Sequence, residues 1–86
     1  MYYVYIIFND QYDKYYVGQT SDLDRRIFEH NNKLTVYTSK YDGVWELKYK
    51  EKFETRSGAM LREKFLKKQK NKDFYKGLIG AHSSAG

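Results

Sequence analysis

The run Tyr2-Tyr3-Val4-Tyr5-Ile6-Ile7-Phe8 limits the fold of this chain more than any other stretch. Every residue in it is aromatic or β-branched, the types that fit a pleated, buried surface. No position in the run is left for water, so it reads as a central strand. Asn9-Asp10 and Asp13 mark a turn. The chain has no proline, so Gly, Asn and Asp must make its turns. Residues 14 to 18, KYYVG, read as the partner strand of a hairpin. Gly18 ends that strand, where a bulge or a positive φ is tolerated.

A capped helix is predicted next, over residues 22 to 31. Ser21 is a suitable N-cap, and Asp22 and Asp24 put negative charge where the helix dipole favours it. At about 100° per residue, Leu23, Ile27 and His30 share one side. Arg26 lies at the edge of that side, one turn before His30, while Arg25 points to water with Glu29. An arginine and a histidine beside an apolar stripe suit an anion site. They equally suit an arginine stem spread over the core rim and a histidine bonded to backbone.

The remaining elements are simpler. Residues 33 to 43 are polar with scattered tyrosines and read as a loop that orders on a ligand. Residues 44 to 50 alternate, with Trp45, Leu47 and Tyr49 facing one way and Val44, Glu46, Lys48 and Lys50 the other. Thr55 or Ser57 caps a longer helix, residues 57 to 70, with Ala59, Leu61, Phe65 and Leu66 over half of its circumference. Glu63 sits at the boundary of that half. A last short helix spans Phe74 to Ile79, and the small polar tail frays. The fold class is α+β, a small three-stranded antiparallel sheet flanked by helices. An 86-residue chain makes one domain, here residues 1 to 80, followed by a flexible tail, 81 to 86.

Composition narrows the chemistry. With no cysteine there is no disulfide framework and no thiolate metal site, which favours the cytoplasm. No apolar run is long enough for a membrane span. Two histidines, one of them in the tail, leave a Ser–His–Asp triad little to work with. Six scattered glycines make no phosphate loop. The net charge of +5 and ten tyrosines suggest nucleic acid, with cations for phosphates and rings for bases. Tyrosines, arginines and one well-placed glutamate suit phosphodiester hydrolysis with one divalent cation.

The residues that remain resemble the GIY-YIG nuclease domain family over positions 2 to about 79. Tyr3-Val4-Tyr5 corresponds to the first triplet and Tyr16-Val17-Gly18 to the second. The spacing of eleven from Tyr5 to Tyr16 fits, as do Arg26 eight residues after Gly18 and His30 four further on. Glu63, in AMLREKFLKK, matches the metal-binding position. The resemblance is greatest to compact bacterial members made of this domain alone. Four positions depart from the pattern: Tyr3 replaces a glycine, Val4 and Val17 replace isoleucines, and Gln19 stands where some relatives carry a basic residue.

The resemblance implies a metal-dependent endonuclease acting on DNA, with RNA an alternative substrate. It implies structure-selective action in repair or processing, by a monomer or weak dimer. It assigns catalysis to Tyr5, Tyr16, Arg26, His30 and Glu63, with Glu63 holding one Mg²⁺ or Mn²⁺. It assigns Gly18, Thr20 and Asn31 to substrate binding. Arg26⁺ is expected to favour a Tyr5 phenolate as proton acceptor. The competing reading of Glu63 is an i, i+4 pair with Lys67. A non-catalytic nucleic-acid-binding module is the rival function, and a protein-interaction domain a third.

Overall fold

The first strand, β1 (Tyr2–Asn9), lies in the middle of a three-stranded sheet, between β2 (Lys14–Thr20) and β3 (Trp45–Phe53). The computed structural model describes residues 1–84. Both pairings are antiparallel. Val4, Tyr5, Ile6 and Ile7 have no exposed surface, as a strand covered on both faces requires. Val4 and Ile6 join Val17, Tyr49, Ala59, Leu66 and Tyr75 on one face. Tyr5 and Ile7 join Trp45 on the other, with Tyr16, Leu23, Ile27 and Tyr41 packed around them.

Helix α1 (Leu23–Asn31) covers the Tyr5 face, and α2 (Arg56–Gln69) and α3 (Lys72–Ser84) cover the Val4 face. Asp22, not Ser21, caps α1; its carboxylate accepts from the Arg25 amide. Thr55 caps α2 by accepting from the Gly58 amide. Only Ala59 and Leu66 of α2 are buried, and Leu61 and Phe65 of the expected apolar half are exposed. The last helix starts earlier than Phe74 and continues past Ile79 to Ser84, so residues 81–84 of the expected tail are helical and residues 85–86 lie outside the described residues.

The strict alternation expected in β3 is broken. Ile6 pairs with Tyr49 but Ile7 pairs with Leu47, so Lys48 is an extra residue, a β-bulge. The side-chain phase inverts there. Trp45 and Tyr49, expected on one face, therefore enter opposite halves of the core. No described helix is long and apolar enough to cross a membrane.

Candidate active site

Tyr5 on β1 sits opposite Gly18 on β2. A methyl group at Gly18 would lie 2.6 Å from Tyr5 Cζ and against its hydroxyl. Gly18 has no positive φ. The position needs glycine for the space the phenol occupies, and β2 runs on past it to Thr20 without the bulge or positive φ that glycine would tolerate. Gly18→Ala should therefore displace the Tyr5 ring and cost about 1–3 kcal/mol. Thermal unfolding would show it as a drop of at least ~4 °C.

The Tyr5 hydroxyl lies 2.7 Å from His30 Nε2. His30 is fully buried. Its Nδ1 is 3.0 Å from the hydroxyls of both Thr35 and Thr38. This pattern suits the tautomer in which Nδ1–H donates to a threonine and Nε2 accepts from Tyr5. Tyr16 packs edge-on to His30, with ring centroids 5.1 Å apart, and tilted to Tyr5 at 6.4 Å. The two phenols and the imidazole thus form one cluster.

Arg26 borders this cluster, and Arg25 faces solvent, as the helical phase requires; their side chains are 37% and 74% exposed. Glu29 pairs with both, at 3.0 Å to Arg26 and 3.3 Å to Arg25. Burial works against the Arg26 charge, but the Tyr5 hydroxyl and the Glu29 carboxylate outweigh it, and the guanidinium is held charged. Burial pushes the Tyr5 phenol well above its ordinary range. Arg26 pulls the other way without cancelling burial, while Tyr16 and Glu63 add to the rise. Arg26 favours the phenolate as expected, but desolvation outweighs it, and the resting group is a neutral phenol.

Burial, then the Arg26 charge, pushes the His30 imidazole down to about 4. The unfolded chain therefore takes up this proton near pH ~6.5, before the folded protein does. Stability should be full above that pH and fall as acid is added toward pH 4, by ~3 kcal/mol at most. Urea unfolding at several pH values would measure the slope, and His30→Gln should flatten it.

Glu63 lies on α2, the helix that packs on the other side of the sheet. Helix α2 packs over β1 and β2, and β2 is an edge strand. Lys67, one turn after Glu63, extends round that edge until its ammonium lies 5.8 Å from the Tyr16 ring centre. Glu63 is close enough to act electrostatically on Tyr5. Its carboxylate, with the side chain 20% exposed, pairs with Lys67 at 2.9 Å. The helix salt bridge anticipated as the competing reading is therefore formed.

The described residues contain no group of three or more His, Cys, Asp or Glu able to hold a metal. A cation here would rest on Glu63 alone among protein carboxylates. That fits Mg²⁺ or Mn²⁺, hard ions that keep several waters and take substrate phosphate as a ligand.

The remaining expected residues are structural in this geometry. Thr20 Oγ1 accepts from the Asp22 amide at 3.1 Å and braces the start of α1. It also lines a cavity of about 330 Å³ with Arg25, Arg26 and Glu29. Asn31 bonds the Trp45 backbone. Its Oδ1 accepts from the Trp45 amide at 2.7 Å and its Nδ2 donates to the Trp45 carbonyl at 3.1 Å. These two bonds tie α1 to β3.

Sequence reasoning missed Tyr37, Thr35 and Thr38. Tyr37 stacks on Tyr16, centroids 5.2 Å apart and planes 30° apart. Thr38 is fully buried. In the stretch read as a loop, Thr38–Lys40 form a 3-10 turn, and Lys33 Nζ donates to the carbonyls of Tyr41 and Gly43. One signal was available. A buried histidine needs a partner for its second nitrogen, and hydroxyl residues stand a few positions on.

Two phenols, an imidazole and a guanidinium thus lie together, with the Glu63–Lys67 pair on the neighbouring helix. The family model described as the GIY-YIG catalytic domain matches residues 1–77. The chain belongs to the GIY-YIG family. Similar proteins include UPF0213 protein lwe0147 of Listeria welshimeri, 42% identical over 65 residues, covering 73% of this chain and 72% of that protein. UPF0213 protein LMOf2365_0181 of Listeria monocytogenes is also 42% identical over 65 residues, covering 73% of both chains. The solution NMR structure of UPF0213 protein BH0048 from Bacillus halodurans is similar at 27% identity and a TM-score of 0.55, covering 94% of this chain and 85% of that one. The GIY-YIG family is a nuclease family.

Proposed function

We propose that this GIY-YIG protein is a metal-dependent endonuclease that hydrolyses phosphodiester bonds in DNA. The observation that supports this reading is the Tyr5–His30–Tyr16 cluster bordered by Arg26, on whose Tyr5 phenol the Glu63 carboxylate acts electrostatically.

The chain's own groups have separable tasks. Arg26 holds a phosphate oxygen and offsets the charge that grows on it; such a contact contributes on the order of 3 kcal/mol to the transition state. Tyr5 cannot act as a stored phenolate. It accepts the proton of the attacking water at Oη while its own proton passes to His30 Nε2, 2.7 Å away. Thr35 and Thr38 hold the imidazole for that transfer. Tyr5 has no exposed surface, so water enters from the side of Tyr16 and Arg26, which line an open cavity. Glu63 would hold one Mg²⁺ or Mn²⁺. That ion, when bound, polarises the phosphate and offsets the charge of the leaving oxygen. The net charge of +5 serves attraction to the phosphate backbone.

The test is incubation with branched, nicked and linear DNA in Mg²⁺, Mn²⁺ or EDTA. Products in either metal and none in EDTA are expected. Salt-sensitive binding without products in any metal would instead favour a non-catalytic nucleic-acid-binding module.

A further inference from the structure

The segment beside the site carries apolar side chains that the catalytic reading leaves unused. Leu34 is 67% exposed and Val36 83% exposed. They are presented by a braced loop. Thr35 and Thr38 bond the His30 ring, and the Ser39 hydroxyl donates to the Val36 carbonyl at 2.9 Å. With Tyr16, Tyr37, Arg26 and Lys40 they line an open cavity of about 490 Å³.

Exposed aliphatic groups in a cluster mark a contact surface. This one is bordered by two cations and floored by the Tyr16–Tyr37 stack. A bare phosphate would not need Leu34 and Val36. An apolar protein partner would not suit Arg26 and Lys40. An unpaired nucleobase with its phosphate matches both: the base stacks on a ring against aliphatic carbon, and the phosphate meets the cations.

We infer that residues 34–40 form a wedge that takes one unpaired nucleobase against Tyr37, beside the phosphate held by Arg26. The protein thereby selects DNA that is unstacked at the cut, such as a flap, gap or branch. A base inside a continuous duplex must first be unstacked, which weakens that substrate. This inference rests on the nuclease reading, for which it names the substrate class.

The experiment measures binding in EDTA, without cleavage. Oligonucleotides carry 2-aminopurine in a single-stranded flap or in an uninterrupted duplex, and affinity and base fluorescence are read together. The parent protein should bind the flap about tenfold or more tightly, with a fluorescence change. L34S/V36S should lose that preference and that change while keeping its affinity for duplex. V36S alone, at the more exposed position, should reduce the preference in the same direction, and melting temperatures confirm that both variants are folded. Equal affinity of the parent for the two DNAs would overturn the inference, as would a folded L34S/V36S that keeps the preference. A protein that shows the preference yet yields no products in Mg²⁺ or Mn²⁺ would defeat the nuclease reading and leave the wedge standing.

Discussion

Replacing Glu63 by glutamine should abolish metal-dependent DNA cleavage and leave the protein folded. Glutamine keeps the shape of the side chain and removes its charge. Among the described residues no group of three or more His, Cys, Asp or Glu offers the ion an alternative cage. Losing a cation that stabilises phosphoryl charge costs several kcal/mol of transition-state stabilisation, or roughly a hundred- to a thousandfold in rate. The effect on folding should be small. The Glu63–Lys67 pair lies on a helix surface, with the lysine side chain 51% exposed, and such pairs contribute ~0.3–0.5 kcal/mol. Cleavage rate and melting temperature, measured on one preparation, separate the two effects. Parent-like cleavage by the folded variant would remove Glu63 from the mechanism.

Tyr5→Phe should have the second largest effect. The ring still fills its place under Gly18, so packing is kept. What is lost is the oxygen that takes the water's proton, and its bond to His30. Loss of general-base assistance lowers the rate by about 10²–10⁴-fold. His30 Nε2 is then buried without its partner, which costs a further ~1–3 kcal/mol of stability. His30→Gln, which breaks the same relay one atom later, should also slow cleavage. If Tyr5→Phe cuts at the parental rate, the phenol is only a sheet residue and proton transfer needs another route.

Much of the site could be read from sequence because its parts lie on regular elements with short-range signals. The continuous apolar character of Tyr2–Phe8 makes β1 central, and the helical phase alone separates Arg26 from Arg25. What failed was what depends on partners distant in the chain. The bulge at Lys48 has no signature in the residues of β3; it appears only against β1. Asn31 is an ordinary helix-end residue until β3 brings the Trp45 backbone alongside it. Ser21 and Asp22 are both good caps, and Thr20 decides between them by binding the Asp22 amide. The Tyr5 ionisation failed for a similar reason. Arg26 could be placed beside the phenol from sequence, but the depth of burial that outweighs its charge could not.

Two aromatic groups and a guanidinium on one face of a sheet are common, and the nuclease proposal depends on an acid from the helix on the other face serving the same substrate. The most direct test is an NMR titration of the labelled protein with Mn²⁺, whose unpaired electrons broaden nearby signals. Broadening centred on Glu63, Lys67 and Tyr16 and fading with distance from β2 is the predicted outcome. Broadening centred instead on acidic surface residues such as Asp22, Asp24 or Asp42, with Glu63 and Tyr16 untouched, would contradict it.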